Sequence, residues 1–287
     1  MQVSLIVTTY NWKEALALAL DSIKPQSRLP DEVIVADDGS RADTAELIHA
    51  FARDFPTRLS HVWQEDNGFR LARSRNRAIA ASRGDYLIVI DGDMLLHRDF
   101  VADHLALAQP GIFLQGLRLN ATPAETARLL AGGAPRFSPL MPGEFRRKHA
   151  LRLRWLARRK IAGRQGGGQV MGCNQSYWRE DLMRVNGFDE RMQSWGREDD
   201  EAAARLDHTG IHGRPLRYAA LAIHLYHRLR WPEGHDPATG LPNDPILRET
   251  LTTRAVRCSQ GIDSHRDEFA TPPADLRARA ADMIDAS

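Results

Sequence analysis

Short acidic motifs carry the residues best suited to chemistry in this chain. The D-G-D motif at residues 91–93 follows the apolar run 86–90, and the D-D pair at 37–38 follows a second apolar run, 33–36. Carboxylate oxygens are the ligands that hard divalent cations such as Mg²⁺ and Mn²⁺ prefer, and such cations often complete their shell with substrate phosphates. Aspartates are common in surface turns, so the D-G-D motif alone would be weak evidence. Because the D-D pair is expected at the same edge of the sheet, the two motifs together predict a metal site.

A third acidic cluster, E-D-D-E at residues 198–201, opens a predicted helix that runs to about Leu206. The positive end of a helix dipole stabilises carboxylates, so helix capping alone would explain all four acids. Two histidines, His224 and His227, lie within and just after a late apolar run. A single histidine on an apolar strand is more often a core residue than a metal ligand.

The elements that must position these residues alternate between strand and helix. Short β-branched runs that are apolar on both faces predict buried parallel strands at 3–8, 33–36, 59–64 and 86–90. Helical patterns lie between them at about 13–23, 43–54 and 71–82. The alternation predicts an α/β fold: a Rossmann-like, mostly parallel sheet flanked by helices, with ligands bound outside the carboxyl ends of the strands.

The second half of the chain is less regular. After Phe113, four prolines and the pair Gly132-Gly133 predict an insertion or hinge region. Helices are expected at 179–185 and about 246–259, and a last strand at 218–225.

A basic segment of helical period occupies residues 145–164 and carries nine arginines and lysines. It is either a solvated helix face or a surface for an anionic lipid or an anionic acceptor, since basic residues near an acidic leaflet contribute about 1 kcal/mol each. Nucleic-acid binding would need a recognised motif, and the segment contains none.

Composition narrows the class of protein. Of 287 residues, 43% are hydrophobic and 26% charged, which excludes a disordered or fibrous chain. Lys and Arg number 39 against 37 Asp and Glu, so the net charge of +2 is too small for a dedicated nucleic-acid binder. The chain has only two cysteines, Cys173 and Cys258, and their distance in the sequence argues against a disulfide framework. With no apolar run long enough to cross a bilayer and no leader, a cytoplasmic location is expected.

Ordered motifs across residues 2–227 resemble a known family. The series V-S-L-I-V-T-T-Y-N, V-I-V-A-D-D-G-S, N-G-F-R-L-A-R-S-R-N and Y-L-I-V-I-D-G-D-M resembles the nucleotide-sugar half of glycosyltransferase family 2, whose members have the GT-A fold. G-C-N-Q-S-Y-W and W-G-R-E-D-D-E are similar to the acceptor segment of β-1,4-galactosyltransferases and bacterial chondroitin polymerases. The resemblance implies a donor-binding half at 1–112, an acceptor-binding and catalytic half of the same domain at 113–230, and a C-terminal extension at 231–287.

On the donor side, the resemblance implies roles for residues that follow the first, second and fourth strands and for one arginine. Those that match nucleotide-binding positions are Thr8, Tyr10, Asp37, Asp38, Arg75 and Asp91. Asp93 matches a metal ligand, with Asp91 as its partner near the ribose or the metal, and a late histidine, either His224 or His227, would complete a Mn²⁺ or Mg²⁺ site.

On the acceptor side, Asp199 matches the acid that takes a proton from the acceptor hydroxyl. The resemblance implies contacts with the acceptor or the donor sugar for Trp195, Gly196, Glu198 and Asn174. The chain departs from the family at Arg197, where a second glycine is common, and at Cys173, which replaces a glycine. Arg197 would supply a cation for an acidic sugar.

The implied activity is inverting, metal-dependent transfer of a sugar from a UDP-sugar to a glycan or lipid-linked glycan, in the synthesis of a bacterial-type surface polysaccharide. Segment 145–164 would give peripheral contact with the inner face of the membrane. The alternatives are a nucleotide- or glycan-binding protein without turnover and a sugar nucleotidyltransferase. The latter is expected to carry a Gly-rich phosphate loop after the first strand, where this chain has T-T-Y-N.

Overall fold

A computed structural model describes residues 1–138, 150–162, 171–228 and 240–278. The strands in these ranges are β1 Val3–Thr9, β2 Glu32–Asp37, β3 Arg58–Trp63, β4 Tyr86–Asp91, β5 Met94–Leu96, β6 Ile112–Gly116, β7 Leu119–Asn120, β8 Asn174–Trp178, β9 His212–Leu216 and β10 Ala222–His224. The α-helices are α1 Lys13–Ile23, α2 Ala42–Ala52, α3 Leu71–Ala81, α4 Phe100–Leu107, α5 Pro123–Leu130, α6 Arg154–Ala162, α7 Arg179–Val185, α8 Glu198–His208 and α9 Asp244–Thr253. A 3₁₀ helix spans Ile262–His265.

The main sheet has the strand order β3-β2-β1-β4-β8-β6-β9. Strands β1 to β4 pair parallel with one another, β8 is antiparallel to β4 and β6, and β9 is parallel to β6. Along β1, Leu5 and Val7 belong to one buried core cluster, whereas Ile6 belongs to the cluster on the opposite face. The α/β fold with a mostly parallel sheet flanked by helices is confirmed, and the central strands β1, β2 and β4 are largely apolar because helices cover both faces.

A second, three-stranded sheet lies beside the D-G-D motif, in the order β5-β10-β7. Strand β10 pairs antiparallel with β5, where His224 is opposite Met94, and parallel with β7. Because β5 begins directly after Asp93, this pairing brings the end of a late strand to the motif that follows β4.

The region after Phe113, for which the prolines predict an insertion or a hinge, contains β7 and α5 in its described part, and β6 spans its start. Pro123 is in the first turn of α5, where a missing N–H costs nothing. The hydroxyl of Thr122 caps that helix by accepting a hydrogen bond from the Glu125 backbone N–H at 3.1 Å. Proline at this point therefore starts a helix.

Other element boundaries also differ from the prediction. The strand expected at 218–225 is shortened to β10, and the helix expected to reach Ser259 ends at Thr253, where Arg254 adopts a left-handed conformation. Strands β8 and β9 were not predicted. In β8, polar side chains occupy buried positions, so the apolar pattern that identified the first four strands is missing there.

The described part of the basic segment forms α6, which packs Ala157 and Ile161 against the core. Residues 150–153 precede this helix, whereas residues 145–149, including Arg146, Arg147 and Lys148, and residues 163–164 lie outside the described residues. Among the described ranges, no helix combines the length and apolar character needed to cross a membrane.

Candidate active site

Asp93, His224 and His227 form a three-ligand cluster. One ligand atom from each lies within 4.8 Å of the others. The Nε2 atoms of the two histidines are each 3.4 Å from Asp93 Oδ2. The backbone N–H of Leu225 donates to Asp93 O at 3.0 Å, which extends the β5–β10 pairing and holds the cluster together. The structure therefore brings both candidate histidines to the second acid of the D-G-D motif.

The chemistry of this cluster fits a divalent cation. Asp93 Oδ1 is buried without a hydrogen-bond partner, so an acceptor remains available inside the cluster. Two imidazoles with one carboxylate make a mixed ligand set that suits a transition metal better than Mg²⁺, which prefers oxygen ligands. Burial and the Asp91 charge raise the pKa of Asp93 to about 7, while burial and the Arg118 charge lower the pKa of His224 to about 3.

Asp91 occupies a different position from Asp93. Its Oδ1 accepts hydrogen bonds from the Thr8 hydroxyl at 3.0 Å and from Arg75 Nη2 at 3.3 Å. Among the described residues it is not part of the three-ligand cluster. The structure thus separates the two acids of the motif: Asp93 faces the histidines, and Asp91 joins the end of β1 to α3.

The D-D pair after β2 is engaged within the fold. Asp37 accepts from the Ser40 backbone N–H at 2.8 Å and lies 2.9 Å from His61 Nε2. Asp38 accepts from Gln64 Nε2 and from the Arg70 backbone N–H at 2.9 Å. Burial raises the pKa of Asp38 to about 6. These carboxylates organise the turns beside the strand ends.

Tyr10 differs from the aspartates because it is exposed. It follows β1 directly, and its hydroxyl donates to Asp66 Oδ2 at 2.9 Å. Register places Thr8 beside Asp91 and Thr9 beside Asp37, so the ends of β1, β2 and β4 form one continuous edge. We call the side chains of Thr8, Tyr10, Asp37, Asp38 and Asp91 the donor edge, after the role that the family resemblance implies for them.

Arg75 links the donor edge to α8. Its side chain is 1% exposed, and its guanidinium contacts Asp91 and, through Nη1, Glu198 Oε1 at 3.3 Å. It also lies over the Phe188 ring at 5.2 Å from the centroid. The sequence predicted an arginine that offsets diphosphate charge, but the structure buries this guanidinium between carboxylates from the two halves of the chain.

Asp199 lies in the first turn of α8, next to that guanidinium. Burial, followed by the Glu198 charge, raises the pKa of Asp199 to about 7, and the Arg75 charge opposes the shift. Its Oδ1 accepts from the Asp200 backbone N–H at 2.9 Å. A carboxyl group with a pKa near neutrality is suited to act as a general base.

Gly172 packs so closely against Arg75 and Asp199 that a side chain at this position would crowd both residues. A Cβ at this position would lie 2.8 Å from Arg75 Nη2 and 3.3 Å from Asp199 Oδ2. The following residue, Cys173, is buried, and burial raises the pKa of its thiol to about 12, in line with the packing role expected for it.

The 194–197 loop leads into α8 and carries the remaining acceptor-side candidates. Trp195 is 36% exposed, and Gly196 has φ +91°. Arg197 has φ +79°, and its guanidinium donates to Asp244 Oδ1 at 2.7 Å and to Asp200 Oδ2 at 3.2 Å. The prediction that Arg197 supplies a cation for an acidic sugar does not agree with this geometry, because acids of the protein already bind the guanidinium.

Asn174 is also placed differently from the prediction. It is fully buried, its Oδ1 lies 3.0 Å from His104 Nε2, and its Nδ2 donates to Leu117 O at 3.1 Å. A second Nδ2 bond reaches Ala220 O at 3.4 Å. Its polar atoms therefore connect β8 to the segments before β7 and β10, so the structure does not present Asn174 to an acceptor.

Sequence reasoning missed several residues around the site. Arg118 influences the pKa values of both Asp93 and His224 by its charge. Asn243 Nδ2 donates to two carbonyls of the 194–197 loop. Neither residue lies in a motif, and only the neighbouring prolines and glycines marked these segments as turns.

Two family models match the chain. "Glycosyl transferase family 2" covers residues 4–119, and "N-terminal domain of galactosyltransferase" covers residues 156–228. The chondroitin synthase of Escherichia coli is 26% identical over 243 residues, which cover 77% of this chain and 34% of that protein. For the first three curated relatives, the match covers only 26%, 48% and 34% of their own length.

Solved structures show the same fold. A mannosyltransferase from Pyrobaculum calidifontis, in complex with GDP-Man and Mn²⁺, matches all of this chain and 75% of its own with a TM-score of 0.57 at 19% identity. TarS 1-349 from S. aureus, in complex with UDP-GlcNAc, matches 95% of this chain and 72% of its own with a TM-score of 0.60 at 17% identity. The expected GT-A fold is confirmed.

Proposed function

We propose that this chain, whose residues 4–119 match the model of glycosyl transferase family 2, is an inverting, metal-dependent glycosyltransferase that uses a UDP-sugar. One observation carries the proposal: the Arg75 guanidinium contacts Asp91 at the donor edge and Glu198 beside Asp199. The Arg75 side chain therefore connects the donor edge to Glu198, the residue next to Asp199, whose carboxyl group has a pKa near neutrality. Direct displacement needs a leaving group and a base this close together.

The chain's own residues divide the chemistry between them. Asp199 accepts the proton of the acceptor hydroxyl as that oxygen attacks the anomeric carbon from the face opposite the nucleotide, which inverts the configuration there. Arg75 holds Asp91 and Glu198 in place and limits the rise in the pKa of Asp199. Asp93, His224 and His227 would hold the cation, which when bound neutralises charge on the departing diphosphate.

The donor edge is assigned to the nucleoside. The exposed Tyr10 ring offers a stacking surface for a base, and Asp37 and Asp38 shape the turn beside it. A uridine nucleotide is favoured by the family resemblance and by the fold shared with a protein solved with UDP-GlcNAc. Mn²⁺ is favoured over Mg²⁺ by the two imidazoles of the three-ligand cluster.

The acceptor is assigned to the side of Trp195 and Asp199. An exposed indole offers an apolar face for a sugar ring. The similarity to a chondroitin synthase supports a glycan or lipid-linked glycan as acceptor and polysaccharide synthesis as the context.

Helix α6 is assigned to contact with an anionic membrane surface. Trp155 is 66% exposed, Leu151 and Leu153 are exposed before it, and Arg158 and Arg159 are exposed on the same helix. Apolar and basic side chains together bind the interface of an acidic leaflet. Sedimentation with vesicles containing phosphatidylserine tests this: the wild-type chain should bind, and Trp155→Ala with Arg158→Ala should not. Equal binding by the variant would contradict the assignment.

Thermal stability tests the main proposal, since a ligand that binds only the folded state raises the midpoint of unfolding. We expect UDP and a UDP-sugar to stabilise the chain only when Mn²⁺ is present, and Asp93→Ala to lose that effect. Asp54→Asn is the matched control, because Asp54 is an exposed partner of Lys24 and these two residues follow the C-terminal ends of α2 and α1, not the strand ends that carry the site. Stabilisation by glycans alone would favour a binding protein, and release of pyrophosphate from UTP and a sugar phosphate would favour a nucleotidyltransferase.

A further inference from the structure

The 194–197 loop is tied to the C-terminal extension through its backbone. Asn243 Nδ2 donates to Ser194 O and to Gly196 O, both at 2.7 Å. Leu241 closes the same face, since a Cβ at Gly196 would lie 2.8 Å from Leu241 Cδ1. The turn at residues 241–244 therefore packs on the loop and forms hydrogen bonds with two of its carbonyl groups.

Arg197 adds an ion pair to this contact. Its guanidinium binds Asp244 Oδ1 at 2.7 Å, and the other oxygen of Asp244 accepts the Leu241 backbone N–H at 2.8 Å. The φ of +79° at Arg197 is a conformation that favours glycine. A residue with a side chain keeps such a conformation only where its surroundings hold it, and here the pair with Asp244 contributes that restraint.

The extension is itself anchored to the body of the protein. Thr250 Oγ1 on α9 donates to the buried Glu201 Oε1 on α8 at 2.8 Å. Arg191 Nη1 donates to Glu249 Oε2 at 3.0 Å. Neither bond involves the 194–197 loop, so the turn before α9 is a fixed support for that loop.

We propose that Arg197, Asn243 and Asp244 form a clasp that fixes the 194–197 loop, and that they act as positioning residues for the acceptor. The role of the loop rests on the function proposed above, but the clasp itself does not. The loop carries Trp195 and continues into Asp199, so its backbone path sets the indole relative to the base. Ordering the loop before the acceptor arrives lowers the entropic cost of binding.

Steady-state kinetics of Asp244→Asn, Asn243→Ala and Arg197→Gly test the positioning role. Glycine suits the backbone at 197, so Arg197→Gly removes the guanidinium without adding strain. We expect the acceptor KM to rise and kcat to fall by about tenfold in each variant, because small displacements of reacting groups are costly. The donor KM should change by less than about twofold. In the double variant R197G/D244N the effects should be less than multiplicative, as expected for partners in contact.

Hydrogen–deuterium exchange tests the clasp without reference to activity. Amides of residues 194–197 should exchange about tenfold faster in Asp244→Asn and Asn243→Ala than in the wild type. Asp263→Asn is the matched control, since Asp263 forms exposed ion pairs with Arg257 and Arg266 elsewhere in the extension. It should leave exchange and kinetics unchanged.

Unchanged exchange at 194–197 in both clasp variants would overturn the proposal. Faster exchange with an unchanged acceptor KM would overturn the positioning role. A wild-type chain that binds nucleotide but transfers no sugar would instead overturn the proposed function, and the exchange experiment would still decide whether the clasp exists.

Discussion

The two sides of the candidate active site are held by different kinds of contact. At the donor edge, side chains leave the ends of adjacent parallel strands, and the β-ladder register sets Thr8 beside Asp91. On the acceptor side, Trp195 and Asp199 belong to a loop and a helix start that are fixed by Asn243 and Asp244. The first arrangement depends on a sheet buried on both faces. The second depends on a few hydrogen bonds to the C-terminal extension.

These two kinds of contact determine where the site is rigid and where it can be adjusted. A strand end cannot move without disturbing the sheet, whereas a loop held by side chains shifts when one partner is replaced. Arg75 is the point where the two sides meet. Substitutions at the donor edge should therefore affect nucleotide binding, and substitutions on the acceptor side should affect turnover of the acceptor.

The largest effect is expected for Asp93→Ala, which removes the only carboxylate of the three-ligand cluster among the described residues. Turnover should fall by about 10³-fold, because stabilisation of leaving-group charge is lost. Isothermal titration with Mn²⁺ and UDP should show loss of coupled binding, with Asp54→Asn as the unchanged control. Retention of Mn²⁺-dependent UDP binding would show that the metal site lies elsewhere.

Asp199→Asn separates the two sides most directly. Loss of a general base should lower kcat by about 10²- to 10⁴-fold, while UDP affinity with Mn²⁺ stays at the wild-type value. Parallel transfer assays and UDP titrations make this comparison. If UDP affinity fell as far as it does in Asp93→Ala, the division into a donor side and an acceptor side would be contradicted.

The pH dependence of kcat/KM provides a finer test of the acceptor side. A base with a raised pKa of about 7 is deprotonated above that pH, so activity should fall as pH drops through about 7. The Glu198 charge contributes to the raised pKa, so Glu198→Gln should lower the pKa of Asp199 and move the midpoint to lower pH. Profiles of the wild type and Glu198→Gln measured with saturating Mn²⁺ test this. An unmoved midpoint, or one at higher pH, would remove Asp199 from the role of base.

The smallest effect is expected for Gly172→Ala. The added methyl group would press on Arg75 and Asp199, and a displacement of the base should lower acceptor turnover by about tenfold. UDP affinity of the same variant serves as the internal control and should change by less than about twofold. Equal losses in turnover and in UDP affinity would place Gly172 on the donor side.

Much of the donor side could be predicted from the sequence because its signals are local. A short apolar run ending in D-G-D identifies both β4 and the edge at which its acids emerge. The same reasoning failed at β8, where the sequence N-Q-S-Y-W is polar but buried. The Ser176 hydroxyl is satisfied by residues far along the chain: Ser176 Oγ lies 2.7 Å from the Tyr86 hydroxyl and 2.8 Å from His104 Nδ1.

The α/β class, the four parallel strands and the acids at their carboxyl ends follow from the amino-acid sequence alone, because hydrophobic periodicity and strand-end chemistry act within a few residues. The folded chain was needed to show that both histidines meet Asp93, that Asp91 instead binds Arg75, and that Asn174 is buried. It was also needed to show that residues 243 and 244 hold a loop almost fifty positions earlier. These relations depend on β5–β10 pairing and on hydrogen bonds between distant segments. Such contacts produce no periodic pattern in the amino-acid sequence.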